Sequence, residues 1–160
     1  MGKSCLITNY LHNTFSENYE PTVLDVYKGT KSVNKTQVNL ELHDTSGDDN
    51  LQANRKVQYQ GAHCFMICVA VNKRSSFDNI SKWKEEITSV IDGKPIFLIL
   101  TKSDIDDPAV NLKDLKGVKD NDSSYVGVAK TSSKEWDDFN VHKAFNKALG
   151  ATLKLLDGAT

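Results

Sequence analysis

Apolar and polar residues alternate with a period of two in the first half of the chain. Val38, Leu40 and Leu42 alternate with polar neighbours, which predicts a half-buried strand. A turn is predicted at 33–36, directly before this strand. The segment 26–32 before the turn is then the expected partner strand of a hairpin.

Continuous apolar runs replace this alternation further along. The runs 64–71 and 96–100 are apolar throughout, and the segment 125–129 is a weaker candidate for a last strand. Such runs suit strands that are buried on both faces, as in a parallel sheet covered by helices. We therefore predict three further strands, and expect them to belong to a parallel sheet.

Helical periodicity fills the intervals between the predicted strands. Ser75 and Ser76 are predicted to cap a helix whose apolar side comprises Phe77, Ile80, Trp83, Ile87, Val90 and Ile91. A short helix is expected at 112–118. The last helix is predicted from the apolar stripe of Val141, Ala144, Phe145, Ala148, Leu149, Thr152, Leu153 and Leu156, which we interpret as contact with the sheet.

Strands that alternate with helices predict an α/β fold, a doubly wound and mostly parallel sheet with helices on both faces. The sequence has 160 residues, enough for one domain spanning 1–160. We find no repeats, linkers or low-complexity tracts in it. The chain is therefore predicted to be a single α/β domain.

Composition narrows the function classes. A formal net charge of −1 argues against nucleic-acid binding and against a polybasic membrane anchor. The three cysteines, Cys5, Cys64 and Cys68, form no C-x-x-C pair, which indicates a reducing compartment. The expected location is cytoplasmic, and the alternative is association with a membrane through a lost C-terminal tail or through a partner. No apolar run has membrane-spanning length, and the sequence lacks a terminal C-a-a-X box, so no prenylation is expected.

Residues with phosphate chemistry stand at the start of the sequence. Gly2, Lys3 and Ser4 precede an apolar stretch, 5–11, that is predicted to be helical. Free N–H groups at a helix N-terminus favour phosphate, the lysine adds a full charge, and the serine hydroxyl can ligate Mg²⁺. They match the end of a G-x-x-x-x-G-K-[ST] loop without its first glycine. Alone, the tripeptide fits a capping serine beside a surface lysine at least as well.

Two later segments carry groups that suit a Mg²⁺-bound phosphate. Thr22 lies in the polar segment 19–23, where a loop hydroxyl can reach Mg²⁺ on a γ-phosphate; a turn entering a strand explains the segment equally well. Asp44 directly follows the alternating strand and precedes Gly47. A Walker-B carboxylate and an N–H donor to a γ-phosphate would have this arrangement, although Asp-x-x-Gly is also a common turn.

A fourth segment indicates the base. Thr101-Lys102-Ser103-Asp104 directly follows the apolar run 96–100. A carboxylate here can accept two hydrogen bonds, from N1–H and the 2-amino group of guanine, a donor pair that adenine lacks. The stem of Lys102 can lie along the base, and a backbone N–H in 131–133 can reach the guanine O6. The pattern favours guanine and makes an ATPase the least suitable alternative.

Taken together and in this order, the segments resemble the Ras superfamily of small GTPases over essentially the whole chain. The matching segments are G-K-S at 2–4, P-T at 21–22, D-x-x-G at 44–47, T-K-x-D at 101–104 and T-S-S at 131–133. The T-K-x-D variant, the stretch F-S-E-N-Y-E-P-T-V at 15–23 and the stretch 44–79 are similar to the Rho/Rac family in particular.

The resemblance implies a P-loop small GTPase fold, a site for GTP or GDP with Mg²⁺, and a signalling switch that hydrolyses GTP. The residues it implies for hydrolysis are Lys3, Thr22, Gly47 and Asp48, and those for Mg²⁺ are Ser4, Thr22 and Asp44. The implied nucleotide contacts are Gly2, Lys3, Ser4, Cys5, Phe15, Tyr19, Thr22, Gly47, Thr101, Lys102, Asp104, Ser132 and Ser133. Effector proteins would bind near Thr22 and Gly47, and exchange factors and activating proteins are further implied partners.

The chain departs from the family pattern at the position after Gly47. Asp48 stands where the family has a water-orienting glutamine, and a carboxylate brings negative charge towards the developing charge on phosphate. Neither arginine, Arg55 or Arg74, is expected to supply an arginine finger. We therefore expect slow hydrolysis of GTP. The alternatives are a GTP-bound interaction module without hydrolysis and a degenerate chain that binds no nucleotide.

Two further departures concern length. The interval between Asp104 and Ser132 is too short for the additional helix typical of Rho proteins, so we expect that helix to be absent. The family's first strand, which precedes the phosphate loop, has no counterpart in the sequence, and we expect the natural protein to begin upstream of Met1.

Overall fold

The computed structural model describes residues 6, 7, 10, 26–132 and 138–158, with the side chains of 138 and 139 excepted. Its strands are β1 (Val26–Val33), β2 (Thr36–His43), β3 (Phe65–Ala70), β4 (Ile96–Thr101) and β5 (Tyr125–Lys130). Its helices are a 3₁₀ turn (Asp49–Leu51), α1 (Gln52–Tyr59), α2 (Arg74–Asp78), α3 (Ile80–Thr88), α4 (Leu112–Asn121) and α5 (Asp138–Gly158).

The hairpin of β1 and β2 forms as predicted. The two strands pair antiparallel from Val26 opposite His43 to Val33 opposite Thr36. Asn34 and Lys35 connect them with φ angles of 50° and 68°. Two successive left-handed residues make a type I′ turn, whose twist matches that of the strands it joins. The predicted turn at 33–36 is therefore confirmed.

The apolar runs form a parallel sheet in the order β3-β4-β5. Phe65 lies opposite Ile96, and the pairing of β3 with β4 continues without irregularity to Ala70 and Thr101. All six residues of β4, the central strand, are buried. Helices cover both faces of this strand, and this explains why the run 96–100 is apolar throughout.

Alternate residues of the sheet enter two separate cores. On one face, Ile67, Leu98 and Leu100 pack with residues of α3 and α4, including Ile87 and Leu115. On the opposite face, Phe97 and Ile99 pack against the buried side of α5 together with Leu6, Ile7 and Tyr10. Leu40 of the hairpin joins this second core. Helices on both faces confirm the predicted doubly wound α/β fold.

The helix predicted after Ser75 and Ser76 differs from the expectation in two respects. The structure divides it at Asn79 into α2 and α3, and both serines lie inside α2, so the predicted serine cap is wrong. The Ser76 hydroxyl instead accepts from the backbone N–H of Ala70 at 2.9 Å, which ties α2 to the end of β3. The same hydroxyl donates to the carbonyl of Lys73, the residue before α2, at 2.6 Å, so its side chain joins the strand to the helix start.

The last two helices largely follow the prediction. Asn111 and Asp114 form a reciprocal capping box at the start of α4. The helix continues to Asn121, three residues beyond the expected end at 118. The stripe of α5 is buried at Val141, Ala144 and Ala148 but ends earlier than predicted. The segment after Leu153 is exposed, and Leu156 is 41% exposed. Between Asp104 and Ser132 the chain has only α4 and β5, without an additional helix.

The described strands form two sheets rather than one, because β2 and β3 are not hydrogen-bonded to each other. A cavity of about 640 Å³ adjoins both strands and α5. Its apolar lining includes Val38, Leu40, Met66, Cys68 and Phe145. No helix within the described ranges is both long and apolar enough to cross a bilayer.

Candidate functional site

The predicted site residues divide into those the structure describes and those it does not. Residues outside the described ranges are Gly2, Lys3, Ser4, Cys5, Phe15, Tyr19, Thr22 and Ser133. The described ones are Asp44, Gly47, Asp48, Thr101, Lys102, Asp104 and Ser132. They form two groups, one at the ends of β4 and β5 and one in the loop after β2.

The first group is centred on Asp104 and Ser132. The Ser132 hydroxyl donates a hydrogen bond to Oδ1 of Asp104 at 2.5 Å. Ser132 is 4% exposed, whereas Asp104 is exposed. Because β4 and β5 are parallel, the segments that follow them leave the sheet at the same edge. The sheet therefore brings T-K-x-D and T-S-S together.

Backbone hydrogen bonds hold this edge in place. The N–H of Ser103 donates to the carbonyl of Thr131 at 3.0 Å, and the N–H of Ile105 donates to Lys102 at the same distance. Lys102 has a φ of 58°, a left-handed conformation that is uncommon for a residue with a side chain. The sharp turn lets the chain reverse within the motif, so Asp104 lies beside β5.

The Thr101 side chain does not face this edge. Thr101 is 1% exposed, and its hydroxyl donates to the carbonyl of Val69 at 3.3 Å. Its side chain therefore fixes the end of β4 to β3. A side-chain contact between Thr101 and a nucleotide stays a prediction, as do the base contacts of Lys102 and Asp104.

The chemistry of this edge suits a base that carries donors. One oxygen of the Asp104 carboxylate accepts from Ser132, and the group remains exposed. An ionised carboxylate has two oxygens and about four lone-pair sites, so it can accept further hydrogen bonds from a ligand. The bond from Ser132 also restricts its rotation. The residues present thus fit the N1–H and 2-amino donors of guanine.

The second group is the loop between β2 and α1. Asp48 accepts from the backbone N–H of Asn50 at 2.9 Å through Oδ1 and caps the 3₁₀ turn. The N–H of Asp48 donates to the Ser46 hydroxyl at 3.2 Å. Asp48 therefore has a structural role in the loop, as an N-cap, that the sequence motif alone did not reveal.

Arg55 of α1 anchors this loop. Its Nη1 donates to the carbonyls of Ser46 and Asp48, at 3.0 and 2.5 Å. Its Nε and Nη2 donate to the two carboxylate oxygens of Glu86, at 2.7 and 2.9 Å. These partners engage all three nitrogens of the guanidinium. That Arg55 supplies no arginine finger stays a prediction.

The ion pair between Arg55 and Glu86 is buried, each side chain being 3% exposed. The hydrogen bond from Arg55 lowers the pKa of Glu86, and a further bond from the Tyr59 hydroxyl acts in the same direction. Burial raises the pKa of Tyr59. Sequence reasoning missed Glu86, because a charged residue on a helix is ordinarily exposed and no motif marks this one.

Asp44 is the described member of the predicted Mg²⁺ set. It follows β2 directly, and a carboxylate oxygen is the hard ligand that Mg²⁺ prefers. No group of three acidic, histidine or cysteine residues that could hold a metal occurs in the part of the chain described. Mg²⁺ sites at phosphates need only one or two carboxylates, since phosphate oxygens and waters complete much of the coordination shell. Asp44 therefore fits such an ion.

Comparisons with known proteins agree with the motifs. The model of the Ras family matches residues 1–154. The Ras-like GTP-binding protein RhoL of Drosophila melanogaster is 36% identical over 106 residues. The aligned part is 66% of this chain and 56% of that protein, so the chain spans little more than half the length of this curated relative.

Proposed function

The chain belongs to the Ras family and is Rho-like, and on that premise we propose that it is a guanine-nucleotide-dependent switch that hydrolyses GTP slowly. The observation that carries the proposal is the hydrogen bond between Ser132 and Asp104, at 2.5 Å. It brings together the two segments to which the family resemblance assigns the base. It also leaves an oriented, exposed carboxylate between them.

Selection of guanine follows from hydrogen-bond chemistry. Asp104 accepts from N1–H and the 2-amino group of guanine, while adenine offers an acceptor at N1 and no 2-amino group. Adenine nucleotides should bind more weakly, because the Asp104 carboxylate would face an acceptor. A charged group that loses water without gaining a donor costs more free energy than a neutral unpaired group does. ATP is therefore excluded by Asp104 rather than by the size of the site.

The phosphates are assigned to the start of the chain and to the loop after β2. Lys3 and the N–H groups around Ser4 bind phosphate oxygens, and Gly47 donates its N–H to the γ-phosphate. Ser4, Thr22 and Asp44 would hold Mg²⁺, which would neutralise charge on the phosphates. Hydrolysis proceeds by in-line attack of water on the γ-phosphate, which forms GDP and inorganic phosphate.

Slow turnover is proposed because of Asp48. Its carboxylate adds negative charge near a group on which negative charge develops, and its Oδ1 is occupied by the N–H of Asn50. An engaged carboxylate does not orient water as the amide of a glutamine does. The same contact favours the second candidate function, a GTP-bound interaction module in which hydrolysis is absent.

Effector binding is proposed at the surface beside this loop. Leu51 and Val57 are 38% and 68% exposed, and both lie within nine residues of Asp48. Exposed apolar side chains next to a nucleotide-sensing loop suit a partner that distinguishes the two nucleotide states. The identity of the nucleotide would then change the shape of this surface.

The nucleotide that the protein carries tests the proposal. The purified chain is denatured, and the released nucleotide is identified by anion-exchange chromatography. Mostly GTP is the expected result, since binding persists while turnover is slow. Mostly GDP would contradict slow hydrolysis but support the switch. Absence of guanine nucleotide, in a preparation shown to be folded by circular dichroism, would contradict nucleotide binding.

A further inference from the structure

We propose that Arg55 is a positioning residue that aims the backbone N–H of Gly47 at the γ-phosphate, using the core helix α3 as its fixed reference. The inference rests on the proposed function, in which Gly47 donates to that phosphate. It concerns a residue outside the motifs and adds a cause for the orientation of the loop.

The orientation follows from the geometry of one peptide unit. The carbonyl of Ser46 and the N–H of Gly47 belong to the same peptide group, and the described residues contain no cis peptide bond. In a planar trans peptide, C=O and N–H point in opposite directions. Arg55 Nη1 lies 3.0 Å from the Ser46 oxygen. The N–H of Gly47 must therefore point away from the guanidinium.

The same nitrogen fixes a second peptide. Arg55 Nη1 also donates to the carbonyl of Asp48. The two bonded carbonyls belong to the 46–47 and 48–49 peptides, so rotation of either peptide would break a charge-assisted hydrogen bond. The N–H of the intervening peptide, that of Asp48, donates to the Ser46 hydroxyl. Glycine by itself has the greatest backbone freedom of any residue. Arg55 thus removes from the loop the freedom that its glycine would otherwise give it.

Glu86 fixes the guanidinium itself. Its two oxygens accept from Arg55 Nε and Nη2, at 2.7 and 2.9 Å, so the plane of the guanidinium is set. The Tyr59 hydroxyl donates to the same carboxylate at 2.9 Å. Glu86 belongs to α3, whose Ile80 and Ile87 are buried in the core. The loop is thereby tied to a helix that is packed in the core.

Only arginine provides this arrangement. Its planar fork binds the carboxylate through two nitrogens while the third is left for the two carbonyls, and lysine has a single nitrogen for all four acceptors. A cationic donor on a carbonyl also polarises the peptide and strengthens the N–H on its other side as a donor. Arg55 therefore both aims and strengthens the Gly47 donor.

Affinity for two nucleotides distinguishes positioning from a general structural role. GDP lacks the γ-phosphate, so loss of the oriented N–H should weaken the binding of a guanosine triphosphate and leave the binding of GDP nearly unchanged. The full chain is compared as wild type, Arg55→Lys and Arg55→Met, with Arg74→Met as the control, because Arg74 is the other arginine and its side chain is 52% exposed. Dissociation constants for GDP and GTPγS are measured by titration calorimetry, and folding by circular dichroism.

We expect both Arg55 variants to lose about tenfold or more in affinity for GTPγS, and less than about threefold for GDP, with Arg74→Met unchanged. Equal losses for both nucleotides, or no loss for GTPγS, would overturn the inference. If Arg55→Met does not fold, Arg55→Lys decides, since it retains the charge. Failure of the wild type to bind either nucleotide would overturn the proposed function, and with it the phosphate role of Gly47.

A measurement without nucleotide tests the positioning alone. Backbone ¹⁵N relaxation gives order parameters for the amides of Gly47 and Asp49, whose peptides carry the carbonyls that Arg55 binds. We expect both order parameters to fall from about 0.85 towards 0.6 in Arg55→Lys and to stay unchanged in Arg74→Met. Unchanged values in Arg55→Lys would overturn the inference even if the wild type binds nucleotide normally.

Discussion

The Ser132 hydroxyl lies 2.5 Å from Asp104 Oδ1, although the two residues are 28 positions apart. The helix α4 and the strand β5 lie between them, and the parallel pairing of β4 with β5 returns the chain to the same edge. The contact therefore depends on the whole β4-α4-β5 unit. It turns two short polar segments into one surface that can recognise a base.

Asp104→Asn should abolish the preference for guanine over adenine. The side-chain amide presents one acceptor where the carboxylate presents two, and it turns a donor towards the N–H groups of guanine. We expect GDP affinity to fall by about a hundredfold, as for a lost pair of charge-assisted hydrogen bonds, while weak ADP binding changes little. Asp106→Asn is the matched control, because Asp106 is an exposed neighbour in the same loop. Equal GDP affinities in the two variants would contradict the assignment.

Two substitutions at Asp48 separate its charge from its cap. Asn retains the N-cap to Asn50 and removes the charge, whereas Gln loses the cap and introduces an amide that can orient water. We expect phosphate release to rise modestly in Asp48→Asn and by about tenfold or more in Asp48→Gln. Thermal unfolding should show a loss of about 1 kcal/mol in Asp48→Gln alone. A hydrolysis rate that is the same in all three proteins would refute the role given to Asp48.

The pair of Glu86 and Arg55 predicts an acid-dependent loss of stability. The bond from Arg55 holds the pKa of Glu86 below its ordinary value of 4.5. The contribution of ionised Glu86 to the free energy of unfolding is therefore complete above pH 4.5. It disappears as the pH falls through the lower pKa of the folded state. Urea unfolding between pH 7 and pH 3 should lose more free energy in the wild type than in Glu86→Gln. Glu85→Gln, an exposed neighbour, should follow the wild type, and identical pH profiles for all three would exclude this linkage.

Two glycines should respond to alanine with opposite signs. Gly127 lies opposite Phe97 in the sheet, and a Cβ there would come within 2.9 Å of the buried ring. Overpacking of this kind costs about 1–3 kcal/mol. Gly117 is inside α4 with nothing within 4 Å of a Cβ, so alanine should stabilise by up to about 1 kcal/mol through helix propensity. Urea unfolding measures both changes in the free energy of unfolding, provided that the dependence on urea concentration is the same in all variants. A Gly127→Ala variant as stable as the wild type would show that the Phe97 ring can move.

The strands were predictable because the apolar pattern along each strand follows the burial of its residues. The alternation at Val38, Leu40 and Leu42 and the run 96–100 each correspond to one environment along a whole strand. Helix ends were less predictable. Ser76 has the composition of a cap, but its hydroxyl binds the backbone of Ala70 across the gap between α2 and β3, a tertiary contact that no local pattern contains.

The candidate site divides in the same way. Asp104 and Ser132 were found because their segments resemble family motifs, and their direct contact needed the sheet. The ion pair of Arg55 with Glu86 was missed, since the two residues are 31 positions apart and each has the sequence context of an exposed charge. Their burial becomes visible only when α1 and α3 are packed together. Sequence motifs therefore identify the residues that contact a ligand more readily than the residues that orient those contacts.

Competition between guanine and adenine nucleotides tests the central claim most directly. The full chain is titrated with GDP and with ADP in the presence of Mg²⁺, and the wild type is compared with Asp104→Asn and Asp106→Asn. The account predicts that the wild type and Asp106→Asn bind GDP at least about a hundredfold more tightly than ADP, and that Asp104→Asn loses this preference. Equal affinity of the wild type for GDP and ADP, or a preference that survives in Asp104→Asn, would contradict it.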